Sequence, residues 1–223
     1  GRVNGLHFSG GVFTNLTQDH LDYHNTFSEY RDIKKSFFDG LNKNAFALVN
    51  KDDKNSNKML EGTRAKKFSY ALKSYADYRG KVLENQFEGM LLQINKVDVW
   101  VKLIGFFNAY NLIAVYAVSK LFGLDDYKVL TALSMIKAVD GRFQYVRNSD
   151  DIIGIVDYAH TEDALKNVLQ TINIIRANTA SLITVIGCGG DRDKSKRPLI
   201  AQVACDLSTQ VIITSDNPRS EDP

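Results

Sequence analysis

The chain has 223 residues, 44% hydrophobic and 24% charged, with a net charge of +2, so it has the balance of a globular protein and gives no support for a nucleic-acid or polyanion binder. Its length allows one large domain or two modest ones. No apolar run approaches the ~20 residues of a membrane helix, no signal peptide opens the chain, and Cys188 and Cys205 have neither metal nor disulfide spacing, so a reducing, cytoplasmic setting fits.

In chain order, VFTNL is strand-like and leads into a loop that crowds Asp19, His20, Asp22 and His24 together. Imidazoles and carboxylates are ligands for hard or borderline divalent ions, although D-H-x-D-x-H alone is a weak signal. Thr26-Phe27-Ser28-Glu29 fits a capping box, so a helix is expected from about 27 to 40. Phe27, Tyr30, Phe37, Phe38 and Leu41 form its apolar stripe, with Lys34 in the middle and Lys35 directed to solvent. A lysine so placed either snorkels or is recruited for chemistry. Partial burial favours a neutral amine, which can add carbon dioxide, and the resulting carbamate can bind Mg²⁺ through oxygen. The histidine- and aspartate-rich loop tilts the reading towards recruitment.

AFALVN reads as a strand, and KKFSYAL, VLENQF, GMLLQI and DVWVKL read as a small antiparallel meander over residues 66–104. A helix follows at about 108–122, stopped by Gly123. Asn108 and Asn111 share one face at its start and serve either as caps or as readers of a purine edge. DDYKVLTALSMIKAV is a further helix, and VDGRFQYV breaks its pattern, giving expected domains of 1–139 and 140–223.

The second half alternates strand and helix. IIGIVDYAH, SLITVIG and QVIIT are the strands; TEDALKNVLQTINII and KRPLIAQVACDLS are the helices. This order predicts a parallel sheet with right-handed crossovers, so the fold class is α/β. Ligands bind beyond the carboxyl ends of such strands. Asp157 to His160, the GCGGDRD run and Ser215 to Arg219 all fall there. Arg192 and Arg219 are suited to gripping a carboxylate or phosphate in a bidentate manner, and Asp216 to holding an ammonium group. Read singly, each is a solvated loop charge; together on one edge they read as a site. Residues 187–198, GCGGDRDKSKRP, do not fit the phosphate-loop pattern G-x-x-x-x-G-K-[ST], and no other stretch does.

In order along the chain, GRVNGLHF, FTNLTQDHLDYH, GFFNAYNLIA, DGRFQYV, VDYAHTEDAL, GCGGDRDKSKRP and TSDNPRSEDP closely resemble the Mur ligases of peptidoglycan synthesis. The resemblance implies part of a three-domain enzyme. Residues 1–139 would be the rest of a central ATPase domain, with a parallel sheet and a small meander, and residues 140–223 most of a Rossmann-like C-terminal domain. The uridine-binding domain, the phosphate loop and the last part of the C-terminal domain are not in this stretch, so the chain is expected to be inactive alone.

The implied reaction is ATP-dependent amide ligation, via an acyl phosphate, of meso-diaminopimelate to the D-glutamyl carboxylate of UDP-N-acetylmuramoyl-L-alanyl-D-glutamate. The expected cofactors are ATP and Mg²⁺; no nucleic-acid or membrane partner is expected, and a monomer is. By motif, the resemblance makes Lys34 a carbamylated Mg²⁺ ligand and His20 the histidine near the second Mg²⁺. Arg2 lies near the UDP-muramoyl dipeptide. Asn108 and Asn111 contact adenine, Arg142 reaches the ATP phosphates, and Asp157 binds ribose with His160 beside it. Arg192, Asp216, Asn217 and Arg219 form the amino-acid pocket. Arg219 would pair with the distal carboxylate of diaminopimelate, which lysine lacks, and a buried arginine left without its carboxylate is costly. Phe106 and Glu162 depart from residues common in the family at those places. The alternatives are the same ligase acting with L-lysine, a folylpolyglutamate-synthetase-like ligase, and a non-catalytic binding protein.

Overall fold

The computed structural model describes residues 5–17, 26–150, 152–176 and 180–222. Arg2 and the loop carrying Asp19, His20, Asp22 and His24 lie outside them. The chain forms two compact units, Gly1–Lys137 and Ala138–Pro223.

The first unit is built on one six-stranded sheet, in the order β1 (Gly10–Phe13), β2 (Phe46–Asn50), β3 (Lys66–Ala71), β4 (Tyr78–Gln86), β5 (Gly89–Ile94) and β6 (Val97–Val101). β1 to β4 run parallel, while β4, β5 and β6 form an antiparallel meander. The expected meander is therefore corrected at its first strand. From Lys66 to Tyr70 this strand pairs in parallel with β2, because residues 51–65 carry the helix α2 (Ser56–Leu60) and make the crossover that a parallel neighbour requires. The β5–β6 turn is the two-residue pair Asn95-Lys96, both with positive φ (45° and 74°), the twist that a tight hairpin needs.

The helix α3 (Phe106–Leu121) buries Ala109, Leu112, Ile113, Ala114, Tyr116 and Ala117. They join Leu48, Tyr70, Met90, Leu92, Ile94 and Val101 in the larger core. Gly80 on β4 allows this approach, since a Cβ there would overlap the Ile113 side chain. The helix α4 (Asp126–Met135) is capped by Asp125, whose carboxylate accepts from the Lys128 N–H at 3.1 Å, and it adds Val129, Leu130 and Leu133 to the same core.

The helix α1 (Phe27–Asp39) starts as the capping box predicts, with Thr26 Oγ1 accepting from the Glu29 N–H at 3.1 Å. Its expected lysine arrangement is reversed. Lys34 is exposed, with its Nζ 5.3 Å from the Tyr30 ring centroid. Lys35 is the more covered, its side chain 15% exposed and its Nζ 2.5 Å from Asp39 Oδ1. Periodicity identified the stripe, which is half-buried at Phe27, Tyr30 and Phe37 and fully buried only at its C-terminal end. Phe38 and Leu41 meet Phe13, Val49 and Met59 in a second core, and Lys34 lies one turn earlier. Lys35 instead lies over the turn after α2, where Gly62 is in contact range.

In the second unit, the helix α5 (Glu162–Arg176) starts at Thr161, whose Oγ1 accepts from the Ala164 N–H at 3.2 Å. It buries Leu165, Val168, Leu169 and Ile172 on the predicted face. The helix α6 (Lys196–Leu207) carries Pro198 in its first turn, where no N–H is missed. The strands β9 (Ile183–Ile186) and β10 (Gln210–Ile213) pair in parallel as expected. The expected third parallel strand does not join them: β8 (Ile153–Val156) forms an antiparallel ladder with β7 (Gln144–Arg147), a strand that the glycine-containing VDGRFQYV run concealed. The local reason is the turn at Asn148, whose Oδ1 accepts from the Asp150 and Ile152 N–H groups at 3.0 and 2.9 Å and folds the chain back on itself.

Candidate functional site

Three clusters carry the polar side chains singled out in the sequence. The first lies where β2 ends and α3 begins. Asn108 Nδ2 donates to the Ile104 carbonyl at 2.8 Å, and Asn111 Nδ2 lies 3.4 Å from Asn108 Oδ1, so the two amides are neighbours on one face as their spacing requires. Asn111 is exposed and Asn108 half-buried. Between them in sequence, Tyr110 turns the other way and donates its hydroxyl to Asp52 Oδ2 at 2.9 Å. Asp52 was not foreseen. Its Oδ2 also accepts from the Leu72 and Lys73 N–H groups, and its Oδ1 from Ser74 N–H. Burial pushes this carboxyl up, but hydrogen bonds from Ser74, Lys73, Leu72 and Tyr110 outweigh it and hold it at about 2. For Tyr110, burial and then the Asp52 carboxylate push the phenol well above its usual range. A second tie reaches the same helix start, where Asn85 Oδ1 accepts from Gly105 N–H at 3.2 Å.

The second cluster belongs to the 138–223 unit. Asp157 Oδ2 accepts from the Phe143 N–H at 2.8 Å, and Phe143 is buried with φ +45°. This fixes the turn that carries Arg142, whose guanidinium lies 4.6 Å from the Tyr158 ring centroid. The His160 ring meets the same tyrosine edge-on at 5.2 Å, and its Nδ1 donates to the Tyr158 carbonyl at 3.1 Å. Arg142, Asp157 and His160 are thus brought together, around a tyrosine whose role the sequence reading left unassigned.

The third cluster joins the loops after β9 and β10. Thr214 N–H donates to the Ile186 carbonyl at 2.9 Å, which prolongs the strand pairing, and Gly190 N–H donates to the Asn217 carbonyl at 2.9 Å. A Cβ on Gly190 would collide with the Pro218 carbonyl. Glycine is used here for close backbone approach, as the GCGGDRD run suggested. Arg219 NH1 donates to the Gly190 carbonyl at 2.9 Å. Arg192, Asp216 and Asn217 are exposed on the same pair of loops. Asp191 and Arg219 both have positive φ (53° and 55°), a backbone state that costs free energy in residues other than glycine and is held only by surrounding contacts. These contacts involve Ser220, Glu221 and Arg197, none of them foreseen, although Glu221 lies within the quoted TSDNPRSEDP.

Among the described residues, the three predicted loops differ in their partners. The GCGGDRD and Ser215–Arg219 segments interlock, whereas Asp157 and His160 find their partners around Arg142 and Tyr158. Lys34 stands on α1 in the first unit, and Arg2 and His20 lie outside the described residues. Among the described residues, no group of three His, Cys, Asp or Glu side chains converges as a metal site, and no helix is long and apolar enough to cross a membrane.

The family models that match are the Mur ligase middle domain, over residues 1–119, and the Mur ligase glutamate ligase domain, over residues 141–223. The chain is 56% identical over 222 residues to a protein of Phocaeicola vulgatus and 51% identical over 222 residues to one of Cytophaga hutchinsonii. Both relatives are named UDP-N-acetylmuramoyl-L-alanyl-D-glutamate--2,6-diaminopimelate ligase. Each match covers 100% of this chain and 46% of the relative, so the chain spans about half the length of the curated relatives it matches. A solved structure of a ligase of that name superposes with a TM-score of 0.66 at 36% identity, covering 100% of this chain and 47% of the other.

Proposed function

The chain belongs to the Mur ligase family, and on that premise we propose that the protein carrying it is the ligase that adds meso-diaminopimelate to UDP-N-acetylmuramoyl-L-alanyl-D-glutamate. ATP phosphorylates the free carboxylate of the D-glutamyl residue to an acyl phosphate and leaves as ADP. The amine of diaminopimelate attacks the acyl carbon, the tetrahedral intermediate expels phosphate, and the amine proton passes to solvent or a base as the amide forms. The observation that carries this reading is the interlock of the loops after β9 and β10, which groups Arg192, Asp216, Asn217 and Arg219 in a chain whose relatives bear that ligase name.

In this reading Asp216 and Asn217 receive the ammonium end of the amino acid, and Arg219 and Arg192 its carboxylates, by charge-assisted hydrogen bonds. Asn108 and Asn111 hold the adenine edge, Asp157 the ribose, with His160 beside it, and Arg142 the phosphates. Arg2 lies by the muramoyl dipeptide. The carboxylate-like oxygens of a lysine carbamate suit Mg²⁺, and Lys34, on α1, would hold one ion through them, with His20 near a second. An ion held there would supply charge neutralisation at the transferring phosphoryl group. The reaction takes place in the cytoplasm, where the nucleotide precursors are, and the enzyme acts as a monomer.

The test uses the complete protein with ATP, Mg²⁺ and the UDP-muramoyl dipeptide, comparing ADP release with meso-diaminopimelate and with L-lysine. Release with diaminopimelate alone is expected. Release with lysine overturns the pocket assignment of Arg219, and release with neither overturns the ligase reading.

A further inference from the structure

The two interlocked loops are fastened at both ends. At the strand end they continue the parallel pairing of β9 and β10, and Gly187 packs against the other loop so closely that a Cβ would lie 2.8 Å from the Thr214 carbonyl oxygen. At the far end the fastening is made by side chains. Ser220 donates its hydroxyl to Asp191 Oδ1 at 2.5 Å and its N–H to Asp191 Oδ2 at 3.3 Å. Glu221 Oε1 accepts from the Asp191 N–H at 2.8 Å. Arg197, in the first turn of α6, donates through NH2 to both Glu221 oxygens at 2.9 and 2.8 Å, with Lys194 Nζ 3.7 Å from Oε1. Glu221 is thus the point where the β9 loop, the β10 loop and α6 are tied together.

We propose that Glu221 is the positioning residue of the amino-acid pocket, clamped by Arg197 and fixing through the Asp191 N–H the backbone from which Arg192 and Arg219 project. The inference rests on the ligase reading for its substrate and on the geometry alone for its clamp. Glu221 bonds the backbone of one of the two residues held at positive φ, and the other, Arg219, is two residues away in its own loop. Such conformations relax when the contacts that hold them are removed. Arg192 directly follows Asp191, so a relaxed Asp191 re-aims Arg192. The clamp is charge-assisted throughout, which makes it short and directional. Arg197 first, then the Asp191 N–H, hold the Glu221 carboxyl below its usual range, and Ser220 does the same for Asp191. Glu221 itself touches no reacting atom in this account.

The experiment compares wild type, Glu221→Gln and Glu221→Ala in the complete protein by steady-state kinetics and by hydrogen–deuterium exchange over residues 187–193 and 216–222. Glu221→Gln keeps one acceptor oxygen and loses the charge, and Glu221→Ala loses both. The expected result is faster exchange in both loops, with KM for diaminopimelate raised roughly tenfold in the glutamine variant and more in the alanine variant, the scale of a lost charge-assisted hydrogen bond. KM for ATP and for the UDP-muramoyl dipeptide stays unchanged, because those groups bind elsewhere. Arg197→Lys, which keeps the charge but loses the forked donor, gives the same pattern more weakly. A merely structural role would instead reduce the active fraction, lowering kcat and leaving every KM alone; that outcome overturns the proposal, as does unchanged exchange. If wild type does not use diaminopimelate at all, the ligase reading has failed, and the exchange data alone decide the clamp.

Discussion

Replacing Asp52 with asparagine isolates what one carboxylate does for the first unit. Three donors, from Leu72, Lys73 and Tyr110, converge on Oδ2, and Ser74 N–H reaches Oδ1. An asparagine has one carbonyl oxygen, so whichever way it turns its amide faces at least one N–H. Hydrogen bonds to a charged acceptor contribute about 1.5–3 kcal/mol each when dry, but the three backbone donors here are exposed or part-buried and recover water. A loss of ~2 kcal/mol is therefore expected at neutral pH. Part of it depends on pH. The folded-state carboxyl is held at about 2 against an ordinary 3.8, so its stabilisation is fully present above the ordinary value and is lost as pH falls through the folded one. A fully shielded shift of that size would be ~2.5 kcal/mol; the partial exposure of Asp52 reduces it to ~1 kcal/mol. A urea titration of the complete protein with pulsed hydrogen exchange, read on peptides covering residues 66–74, reports this unit apart from the rest. The wild-type advantage over Asp52→Asn should shrink between neutral pH and about pH 3. An advantage that holds steady over that range, or one below ~0.5 kcal/mol at neutral pH, would refute the reasoning.

Asn111→Ala raises KM for ATP about tenfold without loss of stability, because the side chain is exposed, whereas Asn108→Ala also destabilises the helix start through its bond to Ile104; nucleotide titration alongside thermal melting separates the two. Gly190→Ala forces the β9 loop away from the Pro218 carbonyl in the β10 loop, so diaminopimelate turnover falls while ATP binding measured by calorimetry stays intact. Gly80→Ala overpacks the contact with Ile113 and lowers stability by about 1–3 kcal/mol, unless repacking of that side chain is seen as a small shift in denaturation midpoint. Lys34→Ala nearly abolishes turnover and high bicarbonate does not restore it; full activity in that variant would remove the carbamate role.

Local rules in the sequence already specified much of the chain. Thr26 and Thr161 cap their helices as their spacing required, because a capping bond involves residues only three apart. The α5 face, the β9–β10 pairing and the closeness of Asn108 to Asn111 follow from periodicity in the same way. The motif order carried the family. Failures came where distant segments chose the outcome. Whether β3 runs parallel depends on the crossover through α2, and whether β8 pairs with β9 or β7 depends on a competing hairpin closed by Asn148. Helical periodicity placed Lys34 in an apolar stripe whose aromatic residues do pack on the core with Phe13, Val49 and Met59, yet Lys34 stays exposed and Lys35 is the more covered, paired with Asp39 beside the turn after α2. The clamp at Glu221 belongs to the same class. Asp191 and Arg197 lie in one quoted motif and Glu221 in another, and only the parallel pairing of β9 with β10, which aligns two loops some thirty residues apart in sequence, turns them into one connected set. Sequence by itself determined the family, most of the elements and the candidate side chains, because those are properties of local pattern. Tertiary structure alone decided which of those side chains are buried, paired or held in strained backbone, because those are properties of neighbours that the chain brings from far away.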